Sequence, residues 1–289
     1  MRLLTFRTGA GTHWGLCTAE GVLDIAAAQE ELRGDTKPFG PSCERLAELA
    51  ELLERATGHE DLFLKESDLE LGPCLPVANK IICIGLNYRR HAREANMVEP
   101  QAPILFAKYN NCLSSAHDSI NLPTTRHQYD YESELAVVIG KRVKRVSPEE
   151  ALDSVFGYCV ANDLSERELQ MSVGQWTIGK MLDGFLPVGP YLVTADEVGD
   201  PQDLDIRCWV NGELRQDSNT SDMIFSVAEL ISYISCYATL EPGDIIVTGT
   251  PEGVILGMEE KVWLKPGDEV IVEIDKLGRL TNRMTSTDN

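Results

Sequence analysis

Asp130-Tyr-Glu-Ser-Glu-Leu-Ala-Val-Val-Ile-Gly140 decides how the rest of the chain is read. From Leu135 onward the run is continuously apolar and rich in valine and isoleucine, as expected of a buried strand. Side chains alternate across a strand, so Glu132 and Glu134 point to the same face, about 7 Å apart. Two carboxylates on one face repel unless a cation lies between them, although a Glu-x-Glu pair is also what a solvated strand face carries. Asp163 ends a second strand-like run, Gly157-Tyr-Cys-Val-Ala-Asn162, just before a helical pattern. Strand ends present functional groups at a sheet's rim. Equally, Asp163 or Ser165 reads as a helix cap, since Ser165-Glu-Arg-Glu168 fits a capping box. Three carboxylates without a histidine or cysteine partner suit a hard cation, Mg²⁺ or Mn²⁺, with about three positions left for water or substrate.

Outward from this stretch, the chain divides near residue 72. Residues 1–72 read as a small α+β module, with short strands around Leu3–Phe6, His13–Cys17 and Val22–Ile25, then one helix that starts at Pro41-Ser42, carries Leu46, Leu49 and Leu53 at helical spacing, and stops at Gly58. Gly72-Pro-Cys-Leu-Pro76 punctuates the boundary, and residues 73–289 read as mainly β. Two helices there carry start signals, Ser147-Pro-Glu-Glu150 and the capping box Ser226-Val-Ala-Glu229. Asn211-Gly212 marks a tight hairpin, and Leu240-Glu-Pro-Gly-Asp244 and Leu264-Lys-Pro-Gly-Asp268 each place a Pro-Gly turn before an apolar strand. No Walker or Gly-x-Gly-x-x-Gly fingerprint is present.

Composition excludes several partners. The chain has 289 residues, 43% hydrophobic and 25% charged, which is globular rather than disordered. Its formal charge of -20 repels phosphate backbones and anionic membranes, so neither nucleic acid nor a membrane surface is expected as a partner. Eight scattered cysteines without a Cys-x-x-Cys pair read as reduced core residues, and no window approaches the ~20 apolar residues that span a bilayer. With no apolar signal-like stretch in Met1–Arg7, the expected location is the cytoplasm.

Five ordered motifs carry a resemblance: Gly85-Leu-Asn-Tyr-Arg-Arg-His-Ala-Arg-Glu94, Tyr129–Gly140, Asn162-Asp-Leu-Ser-Glu-Arg-Glu-Leu-Gln170, Gln175-Trp-Thr-Ile-Gly-Lys-Met-Leu-Asp-Gly-Phe-Leu-Pro-Val-Gly-Pro190 and Val247-Thr-Gly-Thr-Pro-Glu-Gly-Val254. Over roughly residues 75–285 the chain resembles the fumarylacetoacetate hydrolase family, with a small domain before it as in many bacterial members. The resemblance implies a mixed β-sandwich roll ringed by helices, a homodimer, and Glu132, Glu134 and Asp163 as metal ligands. It implies Lys180 as the active-site lysine. Arg167 and Gln170 match positions that contact substrate oxygens, although Glu166 stands where relatives carry alanine. Thr250 would serve the carboxylate end of the substrate, against a plain strand-to-loop turn.

His91 and Glu94 lie three apart and share a face on a helix begun by Asn87, where they can hydrogen-bond. The competing reading is an exposed helix with Arg90 paired to Glu94. The family frame implies that His91 and Glu94 form the acid-base dyad of a lid. The resemblance implies a small anionic keto acid as substrate, chelated through its carbonyl and carboxylate oxygens; the cation-carboxylate centre is net negative, and Lys180 and Arg167 supply the positive charge such an anion needs. The first expectation is a hydrolase cleaving a carbon-carbon bond in acylpyruvate-like diketo acids. The runner-up is an oxaloacetate decarboxylase or a keto-dicarboxylate isomerase on the same site, and a third reading is a non-catalytic binding or scaffold protein.

Overall fold

The computed structural model describes residues 1–9, 11–34, 37–123 and 125–286. Its centre is the strand Ser133–Ile139, held between Val155–Asn162 and Ile245–Val247 by antiparallel pairing in an 11-stranded sheet. All seven of its residues are buried because the sheet is covered on both faces. Leu135, Val137 and Ile139 enter a core shared with Ile206, Cys208, Val210, Val270 and Val272 of a five-stranded sheet. The alternate residues Ala136 and Val138 enter a second core with Leu3, Leu16, Leu49 and Leu52 from the N-terminal part. Glu132 and Glu134 share the parity of this second face, at the strand's open end.

Most pairings are antiparallel, whereas Ile245–Val247 runs parallel to Ile81–Gly85 and Leu186–Thr194 parallel to Leu113–Ser114. The architecture is therefore α+β with a large mixed sheet and a second sheet packed on it, as the sequence led us to expect. The N-terminal strands Arg2–Thr8, Gly11–Cys17, Val22–Asp24 and Phe63–Leu64 extend the same large sheet, joined to it where Arg2 faces Val193 and Leu3 faces Leu192.

Local chemistry accounts for most element ends. Asn211 and Gly212 both take positive φ, 52° and 81°, which is the backbone a two-residue hairpin between Asp205–Val210 and Glu213–Asn219 requires. Ser226 and Glu229 close a reciprocal capping box on Val227–Tyr237. The helix after Ser147 is only Pro148–Ala151, and the serine side chain does not cap its backbone. Two expectations need correction. The N-terminal part holds a second helix, Ile25–Arg33, whose N-terminus is capped by Asp24; its Ala-Ala-Ala-Gln-Glu-Glu core has too few large apolar residues to show a helical period. Asn87 does not begin the helix Arg89–Glu94, since Tyr88 is its N-cap and Asn87 instead bonds Thr248 and Phe225. Among the described residues no helix is long and apolar enough to cross a membrane.

The capping box gives a direct check on this reading of helix ends. Ser226→Ala should cost about 1 kcal/mol and lower the melting temperature by roughly 2–4 °C, measured by calorimetry. An unchanged melting temperature would show that packing of Leu230, Ile231 and Ile234 holds the helix without its cap.

Candidate active site

Strand register builds the carboxylate cluster. Ser133 faces Asn162 across the antiparallel pair, so Glu132 and Asp163 emerge side by side where the two strands end. Asp163 donates its N–H to the Glu132 carbonyl at 2.9 Å, and Glu132 donates its own to the Asn162 side chain at 3.0 Å. Glu134 is one strand repeat further in, where one carboxylate oxygen accepts the Gly249 N–H at 2.5 Å. All three carboxylates are buried, and ligand oxygens from them lie within 4.8 Å of one another. An all-oxygen, buried, trianionic donor set fits a divalent metal.

Three buried cations meet this charge. Lys180 lies between Glu132 and Asp163, its ammonium donating at 2.5 and 2.9 Å. Arg167 reaches Glu132 at 2.7 Å and Asp130 at 2.7 Å. Lys108, at the end of the edge strand Ile104–Lys108, pairs with Asp163 from behind and donates to the Leu164 carbonyl at 3.0 Å. Burial alone would raise the Glu132 carboxyl, but Lys180 and Arg167 outweigh it and hold the group well below the usual carboxylate range. For Glu134 burial is reinforced by Asp163 and Glu132, which push its carboxyl up. Lys180 stays cationic because Asp163 and Glu132 more than offset the burial that would lower it.

Neighbouring short helices aim two of these cations. Arg167 opens Arg167–Ser172, which follows Asp163 by one short turn and is capped by the Glu166 side chain. Glu166 is buried and also accepts the Gln128 N–H, so it braces this turn, and it is absent from the pocket lining. Lys180 closes Thr177–Lys180, and Gly179 is what lets that helix approach. A Cβ there would lie 2.4 Å from the Gln170 nitrogen and 2.5 Å from the Glu166 carbonyl oxygen.

These groups form one end of a cavity of about 390 Å³, within the range of small-molecule sites. Glu132, Glu134, Arg167, Gln170, Lys180, Thr250, His91 and Glu94 all line it, while Asp163 lies behind Lys180. Gln170 accepts from Arg167 at 2.9 Å. The Thr250 oxygen accepts from Gln216 at 2.9 Å, which leaves its hydroxyl hydrogen available to the cavity. At the outer end His91 Nδ1 lies 3.2 Å from Glu94, whose other oxygen accepts the Gly253 N–H at 3.0 Å. Arg90 does not pair with Glu94; it pairs with Glu252 at 3.0 Å and Asp222 at 3.7 Å. Phe106 and Trp176 pack edge to face at 5.7 Å and supply apolar wall.

Sequence reasoning missed Lys108, Asp130 and Gln216. Asp130 stands within the quoted stretch and binds Arg167 together with the Ile255 and Leu256 N–H groups. Gln216 ties the Ser133 N–H to the Thr250 loop. A lysine ending an apolar run, Ile104-Leu-Phe-Ala-Lys108, was the available sign for the first.

Comparison with known proteins identifies the family. Residues 80–285 match the fumarylacetoacetate (FAA) hydrolase C-terminal family. A mitochondrial oxaloacetate tautomerase of Bos taurus is 41% identical over 98% of this chain and 91% of its own. The structure of 5-carboxymethyl-2-hydroxymuconate delta-isomerase from Mycobacterium smegmatis superposes with a TM-score of 0.77 at 30% identity, covering 100% of both chains. Maleylpyruvate hydrolase from Sphingobium sp. SYK-6 gives a TM-score of 0.80 at 32% identity, covering 99% of this chain and 100% of that one. The protein belongs to the fumarylacetoacetate hydrolase family and is an enzyme with a carboxylate site able to bind a metal.

Lys108 supplies a test of the charge balance. Lys108→Met leaves buried Asp163 with Lys180 as its remaining ion-pair partner, a loss of about 3 kcal/mol at most, so in EDTA the melting temperature should fall by about 5 °C. Saturating Mg²⁺ or Mn²⁺ should recover part of that loss. A variant melting within a degree or two of wild type in EDTA would show that Lys108 compensates nothing.

Proposed function

We propose that the enzyme moves a proton within a small dicarboxylic keto acid of the oxaloacetate type, interconverting enol and keto forms or shifting a double bond. The observation that carries this reading is a proton-handling pair, His91–Glu94, lining the same small cavity as a buried carboxylate–cation cluster. The relatives support it as well: one is an oxaloacetate tautomerase and another a delta-isomerase, and they back the keto-dicarboxylate runner-up better than the acylpyruvate hydrolase expected first.

In this reading Glu132, Glu134 and Asp163 would hold Mg²⁺ or Mn²⁺, which would supply Lewis-acid chemistry. Arg167 and Gln170 orient the substrate carboxylate, and the Thr250 hydroxyl donates to it. Lys180 meets the negative charge that develops on the enol oxygen as a preorganised, buried ammonium. His91 Nε2 takes the proton from the enol hydroxyl and passes it to carbon, and in the reverse direction takes it from carbon and returns it to the oxygen. Glu94 fixes the imidazole tautomer through Nδ1, leaving Nε2 for the substrate. The Gly253 N–H holds Glu94 in turn.

A second reading remains for a specific reason. The same His91–Glu94 pair can activate water, and the maleylpyruvate hydrolase shares the fold. A homodimer, checked by light scattering, and a reducing compartment such as the cytoplasm complete the proposal; the cysteines are all free and five are buried.

One comparison of rates tests it. Enol-oxaloacetate, followed by its ultraviolet absorbance with Mg²⁺ or Mn²⁺ present, should ketonise far faster with enzyme, without release of carbon dioxide. His91→Asn and Glu94→Gln should each slow it by about 10²-fold or more. Cleavage of acylpyruvates faster than ketonisation would overturn this reading and restore the hydrolase.

A further inference from the structure

We infer that Lys261 binds the far carboxylate of the substrate and makes the site select dicarboxylic over monocarboxylic keto acids. This rests on the keto-acid reading above and adds to it the charge at the substrate's other end. Four buried carboxylates, Asp130, Glu132, Glu134 and Asp163, face three buried cations, Lys108, Arg167 and Lys180. When all are ionised the inner end is one charge negative. A divalent cation held there would turn this into one charge positive, enough to balance a single substrate carboxylate. A second carboxylate finds no surplus there.

It also meets unhelpful surroundings further out. The walls beyond the cluster are largely apolar, with Phe106, Trp176, Met97 and Leu256 beside the Asn96 amide, and the outer titratable pair includes the Glu94 carboxylate. An anion placed among these without a partner loses hydration and gains nothing. Lys261 answers that need. It lines the same cavity but is exposed, whereas Lys180 is buried, so the two mark its outer and inner ends.

Lys261 is also uncommitted. Arg167 and Lys180 are ion-paired with Asp130, Glu132 and Asp163 and serve the inner end, while the Lys261 ammonium donates to the Met258 carbonyl at 3.0 Å and has no ion pair among the described residues. An ammonium has three donor hydrogens, so this bond leaves two for a ligand. Its loop is fixed at the right place by Gly257, where a Cβ would lie 2.5 Å from the Glu94 carboxyl carbon. The loop that carries Lys261 thus packs directly on the acid-base pair.

The test compares oxaloacetate with its far-end methyl ester, which keeps the chelating end and removes one charge. Wild type should prefer the diacid. Lys261→Met should shrink the ratio of kcat/KM for diacid over ester by about 10- to 100-fold, mainly through KM, as expected for one charged hydrogen bond. Lys261→Arg should restore most of it. If wild type turns over both compounds and the ratio is unchanged in Lys261→Met, the role of Lys261 is wrong while the keto-acid reading stands. If wild type turns over neither with Mg²⁺ or Mn²⁺ present, the keto-acid reading fails and this inference falls with it.

Discussion

The site depends on one pairing, that of Ser133 with Asn162. That register places Glu132 beside Asp163 and, through the two-residue strand repeat, directs Glu134 to the same face. A slip by one residue would turn Glu132 and Glu134 toward the core between the sheets and send Leu135 and Val137 the other way, so both hydrophobic cores resist it. Burial on both faces of Ser133–Ile139 therefore fixes the chemistry as well as the fold. The backbone bonds between residues 132, 162 and 163 finish the arrangement at the strand ends.

Such a cluster is costly to bury, and the surrounding structure is organised around that cost. Carboxylates without partners would be driven to their neutral forms, as the raised Glu134 carboxyl indicates. Lys180, Arg167 and Lys108 reach the cluster from three different elements, each by its own local device. Gly179 brings one helix close, Glu166 caps another, and the edge strand ends in Lys108. Under the proposed function, this oxygen-rich centre receives a keto acid, whose adjacent oxygens match it. The outer pair His91–Glu94 stands at the other end of the same small cavity.

Much of this was legible from the residues alone, for definite reasons. Period two put Glu132 and Glu134 on one face, and the Asn211-Gly212, Ser226–Glu229 and Pro-Gly signals are short-range chemistry that tertiary structure left intact. Lys180 and Arg167 acquired meaning only through the family motifs, because one lysine or arginine in a sequence carries no sign of burial. Lys108 and Gln216 escaped notice because their roles depend on contacts 55 and 83 residues away. Lys261 stands after Met258-Glu-Glu260 and looks like part of a solvated turn; the cavity gives it another reading. The alanine-rich helix Ile25–Arg33 shows the reverse case, a capped helix with almost no hydrophobic period.

The central claim is that register-aligned Glu132, Glu134 and Asp163 form the cation site, and anomalous diffraction from crystals grown with Mn²⁺ tests it most directly. The account predicts one strong anomalous peak per chain among these three carboxylates, and its loss in Glu134→Gln crystals that keep the same backbone. A peak elsewhere, or one at the cluster that persists undiminished in Glu134→Gln, would contradict it.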